Sequence, residues 1–153
     1  MDLILWRHAE AVESGAEVPD LDRPLTARGE RQAARMAAWL NRQLPATTRV
    51  LASPARRTQQ TAMALERKFR TVPAIAPDAL PQAVLEAARW PTAKEPVLVI
   101  GHQPTLGLVA SQLLTGVAQA LAVKKGAVWW LRSREREGEG QVVLVAALGP
   151  EQV

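Results

Sequence analysis

The chain contains two histidines, His8 and His102, and each stands directly behind a short apolar run. Leu3-Ile4-Leu5-Trp6 leads into Arg7-His8, and Val97-Leu98-Val99-Ile100 leads into Gly101-His102. A third run, Val50-Leu51-Ala52, leads into Ser53-Pro54, with Arg56 and Arg57 close behind. Short apolar runs without helical period read as buried strands. In open α/β sheets the ligand site lies outside the carboxyl ends of the strands. If these three strands are neighbours, two imidazoles and at least two guanidiniums converge on one crevice. Guanidinium forks bind phosphate oxygens in pairs and stay charged. The backbone N–H groups of a helix starting after Ser53 add affinity for an anion. Two histidines with no carboxylate cluster do not make a metal site. An imidazole among cations is then a candidate nucleophile toward phosphorus, through a covalent phosphohistidine. The cations would stabilise the equatorial oxygens of the transferring phosphoryl group. Taken singly these signals are weak, because a histidine at a strand end is more often structural and an Arg pair on a helix is more often solvated. Their joint placement at three strand ends carries the reading.

The elements that must position these residues follow from pattern. Glu13 to Leu25 is polar, acidic and Pro-containing, and reads as a loop. Thr26 is a candidate N-cap for a helix whose Ala33, Ala37, Leu40 and Leu44 share one face and which Pro45 stops. Ser53-Pro54 reads as an N-cap followed by Pro at the first helical position, with a helix over 55–69. Ala74-Ile75-Ala76 reads as a further strand, and Pro81 to Trp90 as a helix closed by Pro91. Leu106 to Leu114 reads as a helix. Ala127 to Leu131 and Val142 to Ala147 read as a final strand pair, with the charged tract Arg132 to Gly140 as a solvated hairpin tip. Strands alternating with helices predict an α/β fold, a three-layer sandwich with a mostly parallel central sheet flanked by helices. No internal repeat or long linker divides the 153 residues, so residues 1–153 are expected to form a single domain.

Composition narrows the function classes. Without Cys there is no disulfide framework, thiolate metal site or cysteine nucleophile. The run at Met1 to Trp6 is too short, and too acidic at Asp2, for a signal peptide, and no apolar stretch approaches the roughly 20 residues that span a bilayer. The expectation is a cytoplasmic protein with no membrane partner. A net charge of +4 suits an anionic substrate. The Arg residues are scattered and the five Trp do not line up with them, which argues against nucleic acid.

The same residues resemble a known family. Arg7-His8-Ala9-Glu10 is similar to the Arg-His-Gly motif that opens the histidine phosphatase superfamily, which includes the phosphoglycerate mutases. Pro24-Leu25-Thr26-x-x-Gly29 resembles its next loop and helix start. Ser53-Pro54-x-x-Arg57-x-x-Gln60-Thr61 resembles its Ser-x-x-x-Arg-Ala-x-Gln-Thr motif, and Gly101-His102 its late Gly-His motif. The resemblance implies a phosphoglycerate mutase-like fold, His8 as the phosphorylated nucleophile, and Arg7, Arg57 and His102 as the phosphate pocket, without metal or cofactor. Ser14 stands where mutase-like members carry a substrate-binding Asn. The short length and the Asp22-Arg23-Pro24-Leu25-Thr26 loop resemble the SixA-type branch, which acts on phosphohistidine in the phosphotransfer domains of phosphorelay proteins. Two departures matter. Ala9 replaces the usual Gly, which is tolerable if its φ is negative. The Glu proton donor of the mutase-like members has no counterpart in Pro77-Asp78-Ala79-Leu80-Pro81-Gln82, and the nearest carboxylates are Asp78 and Glu86. The expected activity is therefore phosphohistidine hydrolysis. The alternative is a small-molecule phosphomonoesterase with Asp78 or Glu86 as acid.

Overall fold

The computed structural model describes residues 1–15 and 17–153. Residue Ala16, inside the expected 13–25 loop, lies outside the described residues. The strands are β1 (Asp2–Arg7), β2 (Arg49–Ala52), β3 (Arg70–Thr71), β4 (Val97–Gly101), β5 (Val128–Arg136) and β6 (Glu139–Leu148). The helices are α1 (Ala27–Gln43), α2 (Arg56–Met63), α3 (Pro81–Ala88) and α4 (Thr105–Thr115). One six-stranded sheet runs in the order β3-β2-β4-β1-β5-β6. The first four of these are mutually parallel, while β5 and β6 are antiparallel additions. The sheet is thus mixed, with a parallel half that carries the strand ends of interest.

Its two faces bury different side chains, as the period of two along a strand requires. Leu3, Leu5, Leu51, Val97 and Val99 pack on one face with Val84 and Leu85 of α3 and Val109 of α4. Ile4, Trp6, Val50, Leu98 and Ile100 pack on the other with Met36, Ala37 and Leu40 of α1 and Ala62 of α2. Strands covered on both faces read as continuous apolar runs, which is why Leu3–Trp6 and Val97–Ile100 lack polar alternation. Helices on both sides make the expected three-layer α/β sandwich. Trp129 and Trp130 point to opposite faces of β5. Trp130 stacks edge-on against Trp39, with ring centroids 6.3 Å apart, and donates through Nε1 to Asp2 Oδ2 at 3.1 Å.

Several local expectations need correction. The strand expected at Ala74–Ala76 is a 3-10 turn over Pro73–Ile75, and the pairing strand β3 lies earlier. Pro73 lacks the N–H that a ladder needs. The helix expected over 55–69 ends at Met63. No Gly or Pro stops it. Instead Leu65 turns into the α1 cluster, Asn41 Nδ2 donates to the Leu65 carbonyl at 3.0 Å, and Arg67 donates to the carbonyls of Leu44 and Pro45. Ser53 is not the cap of α2: the helix begins later, with Ala55 as cap and no side-chain cap bond, and the Ser53 hydroxyl accepts from the Ala55 N–H at 3.2 Å while it also bonds His102. The charged tract after Leu131 is mostly ladder, closing in a two-residue turn at Glu137-Gly138 with φ of 55° and 82°.

Thr26 caps α1 as expected, its hydroxyl accepting from the Gly29 N–H at 3.0 Å. Gly29 also packs directly on the backbone of Glu10, so a Cβ there would run into the Glu10 carbonyl oxygen. Two effects oppose each other in Gly29→Ala. Helix propensity favours Ala by up to about 1 kcal/mol, whereas overpacking against backbone costs about 1–3 kcal/mol. The contact should win, with a net loss of about 1–2 kcal/mol and a Tm lowered by roughly 2–8 °C. A Tm equal to or above that of the wild type would show that the Glu10 loop yields freely.

Candidate active site

The parallel register pairs Arg7 with Gly101 at the carboxyl ends of β1 and β4. The next residues, His8 and His102, are thereby side by side, with ring centroids 5.3 Å apart. The two strands remain zipped past the pair, since His8 N–H donates to the Gly101 carbonyl at 3.2 Å. Gly126 closes the other side by donating to the Arg7 and His8 carbonyls at 3.1 and 3.0 Å. Arg57 enters from the first turn of α2 and is 3% exposed. Arg7, His8, Arg57 and His102 line one cavity of about 380 Å³. The structure thus brings together Arg7, His8 and His102 from the strand ends and, of the Arg56-Arg57 pair, Arg57, the residue that the motif resemblance singles out.

Hydrogen bonds fix the tautomers. His8 Nδ1 lies 2.8 Å from the Ala9 carbonyl oxygen, which can only accept. The proton is therefore on Nδ1, and Nε2 keeps its lone pair. Arg57 Nη2, which can only donate, lies 3.4 Å from His102 Nδ1, so His102 carries its proton on Nε2 and gives it to Ser53 Oγ at 2.7 Å. Both imidazoles are held neutral. Burial pushes the His8 pKa down to about 4; the Ala9 bond partly offsets this, and the charges of Arg57, Arg7 and Arg23 add to it. His102 is pushed down to about 3 by burial first, then by His8 and Arg57. Burial also lowers both guanidiniums from their ordinary value, yet they stay charged at neutral pH.

The cations are only partly satisfied. Arg7 Nη1 donates to the Val123 carbonyl at 2.9 Å, while its Nε is buried without a partner among the described residues. Arg57 Nη1 donates to the Asp20 carbonyl at 2.7 Å and Nη2 approaches Asp20 Oδ2 at 3.3 Å, and its Nε is likewise unpartnered. Buried donors are nearly always paired, so two orphans in one cavity mark a place for an acceptor-rich group. Oxygens of an oxyanion meet that need.

Other parts of the motifs hold the frame. Thr61 Oγ1 accepts from the Ala9 N–H at 3.1 Å, and Gln60 Oε1 accepts from the Leu25 N–H at 2.7 Å. Ala9 is fully buried and is not among the non-glycine residues at positive φ, so Gly is not required there. Arg56 is exposed and does not line the cavity. Ser14 is exposed as well and lies outside the cavity wall.

Sequence reasoning missed part of the wall. Asp20, in a 3-10 turn over Asp20–Asp22, bridges Arg57 and Arg23, the latter at 3.1 Å. Burial alone would raise the Asp20 carboxyl, but Arg57 and Arg23 outweigh it and hold it below the usual carboxylate range. The i,i+3 spacing of Asp20 and Arg23 was the available signal. Lys125 and Gln103 also line the cavity. Gln103 is committed to structure, donating to the Leu121 carbonyl at 2.6 Å and accepting from Gly107 N–H at 2.7 Å. Asp78 lies on the wall at φ 67°, in a segment tied to α4 by the Thr105 hydroxyl donating to the Ala79 carbonyl at 2.5 Å. Glu86, on α3, does not reach the cavity. Among the described residues no group of three or more His, Asp or Glu side chains is arranged to hold a metal ion, and no helix is long and apolar enough to cross a membrane.

Known proteins resemble the chain in sequence and in fold. The family model of the histidine phosphatase superfamily (branch 1) matches residues 3–82. An uncharacterized protein of Picosynechococcus sp. is 33% identical over 141 residues, covering 87% of this chain and 86% of its own length. A candidate phosphohistidine phosphatase SixA from Agrobacterium tumefaciens has the same fold, with a TM-score of 0.80 and 97% of each chain covered at 21% identity. Another candidate SixA, from Nakamurella multipartitia, has a TM-score of 0.78 at 26% identity, covering 97% of this chain and 95% of its own. With the family model matched over more than half of its residues, the chain belongs to the histidine phosphatase superfamily.

Proposed function

We propose that the protein is a phosphohistidine phosphatase that works through a covalent phosphate on His8 Nε2. The observation that carries this reading is the tautomer of His8. Its Nδ1 proton is committed to the Ala9 carbonyl, leaving a neutral Nε2 with a free lone pair in a cavity walled by Arg7 and Arg57. Both SixA neighbours described above support the substrate class. The target would be a phosphohistidine on the phosphotransfer domain of a phosphorelay protein in the cytoplasm.

In the first step the Nε2 lone pair forms an N–P bond to the substrate phosphorus while the bond to the leaving group breaks. Arg7 and Arg57 hold the phosphoryl oxygens, and their unpartnered Nε donors gain acceptors. In the second step water attacks phosphorus, the N–P bond breaks with its electron pair returning to Nε2, and the water's proton passes to the released phosphate or to solvent. The two guanidiniums supply the positive charge, so no metal is needed.

The leaving group decides the substrate. Breaking a bond to an alkyl alcohol expels an alkoxide that needs a proton, and a positioned acid contributes about 10² to 10⁴ in rate. Asp20 cannot serve, because its two guanidinium partners keep it ionised. A departing imidazole has an unperturbed pKa of about 6.5 and takes its proton from solvent. One observation favours the alternative of a small-molecule phosphomonoesterase: Asp78 stands on the cavity wall, where it could protonate an alcohol.

Two outcomes follow. Matched phosphohistidine and phosphoserine peptides should differ at least about 100-fold in kcat/KM in favour of phosphohistidine. Comparable values that collapse for phosphoserine alone in Asp78→Asn would establish the esterase. The second concerns pH. Because both histidine pKa values are depressed, the imidazoles of the phosphate-free protein should remain neutral when NMR follows them from pH 8 down to pH 5.5. Protonation of His8, which would block its lone pair, should begin only near pH 5. An imidazole midpoint near 6.5 would contradict the neutral nucleophile.

A further inference from the structure

A second and larger cavity, of about 930 Å³, lies at the opposite end of the sheet. It opens where β2 and β3 begin, at Arg49 and Arg70, whereas His8 and His102 follow the ends of β1 and β4. Five cationic side chains line it, Arg49, Arg67, Lys68, Arg70 and Arg89, and no carboxylate does. Arg67 has a structural explanation, since it donates to Asn41 Oδ1 and to the Leu44 and Pro45 carbonyls. The other four make no side-chain hydrogen bond or ion pair among the described residues. Arg49 Nη1 is buried with no partner among the described residues. Burial, together with the like charges of Arg89 and Arg70, holds the Arg49 guanidinium below its ordinary value.

Folding alone does not account for this cluster. Like charges gathered against one another repel, and a buried unpaired donor is costly. Arg89 breaks a second local rule. It ends α3 in the left-handed conformation, with φ 57° and ψ 41°, where Gly is the usual residue. A bulky side chain is thus kept at a strained backbone position, and its charge is added to the cluster. The cavity also has an apolar wall, formed by Leu44, Val50, Leu51 and Phe69. Its volume falls in the range of sites for small organic ligands.

From this juxtaposition we infer that the cavity at the start of β2 and β3 binds an organic anion carrying two or more negative charges and an apolar or aromatic body. Arg49, Arg70 and Arg89 hold the charges, and Phe69 with Leu44 covers the body. A nucleoside polyphosphate has this chemistry. The site is separate from the phosphate pocket, so it offers a second input to the protein whichever phosphomonoester or phosphohistidine the first one takes.

Magnesium-free ATP is a suitable probe, titrated by calorimetry at physiological salt against wild type, Arg57→Ala and the double variant Arg70→Gln/Arg89→Gly. Binding should persist in Arg57→Ala and weaken at least tenfold in the double variant, whose hydrolysis of an aryl phosphate should match wild type. Arg89→Gly alone should raise Tm by roughly 2–4 °C, because it relieves the left-handed strain, which also shows that the fold is intact. Equal affinity in the double variant, or loss of binding in Arg57→Ala only, would overturn the site. Inorganic pyrophosphate binding as tightly as ATP would overturn the organic body.

Discussion

Two guanidiniums and two imidazoles share one buried crevice, and Asp20 is the only carboxylate that contacts Arg57 among the described residues. That surplus of positive charge in a low-dielectric site governs the rest. Burial first, and that charge in addition, keep a proton off both histidines, so both stay neutral, and a neutral imidazole is a nucleophile. The same surplus leaves donors without acceptors among the described residues, which on the proposed function an arriving phosphoryl group would satisfy. An arrangement that is costly when empty is complementary to the charge that develops on phosphorus.

Holding such a cluster together needs a rigid frame. The register of β1 against β4 sets the imidazoles beside each other, and the fully buried strands leave little freedom for a shift. Thr61 and Gln60 then pin the two segments that cross above the sheet, at Ala9 and Leu25. Gly29 lets α1 seat directly on the Glu10 backbone. None of these motif residues lines the cavity, and each holds or seats a backbone segment beside it. Ser53 serves two neighbours at once: its hydroxyl orients the His102 ring by accepting from Nε2–H and also accepts from the Ala55 N–H at the start of α2.

The sequence made legible what depends on burial period and on residue type. The parallel core was readable because Leu3–Trp6 and Val97–Ile100 are apolar on both faces. Arg7, His8 and His102 were readable because strand ends converge by topology, and Arg57 was chosen over Arg56 by the motif resemblance. What escaped depends on tertiary contact. The end of α2 is set by Leu65 and Asn41, with no local stop signal. The strand β3 is two exposed residues at a sheet edge, Arg70 and Thr71, with no apolar pattern to announce it. Asp20 and Lys125 reach the cavity from connecting segments whose paths no periodicity describes, whereas Asp78 was already a candidate acid by its place after the middle of the chain. Ser14, aligned by motif position alone, stands exposed and away from the wall, because the loop that carries it follows its own course.

The central claim is that phosphorus is transferred to one particular nitrogen. Mixing the protein with a phosphorylated substrate, quenching in alkaline denaturant within milliseconds and locating the label by ³¹P NMR and peptide mass spectrometry tests it directly. The account predicts an acid-labile phosphate on Nε2 of His8, formed and lost at rates compatible with turnover and absent from His8→Ala. Phosphate on Nδ1 of His8, on His102, on a serine or aspartate, or turnover with no phosphoprotein accumulating under any substrate or pH, would contradict it.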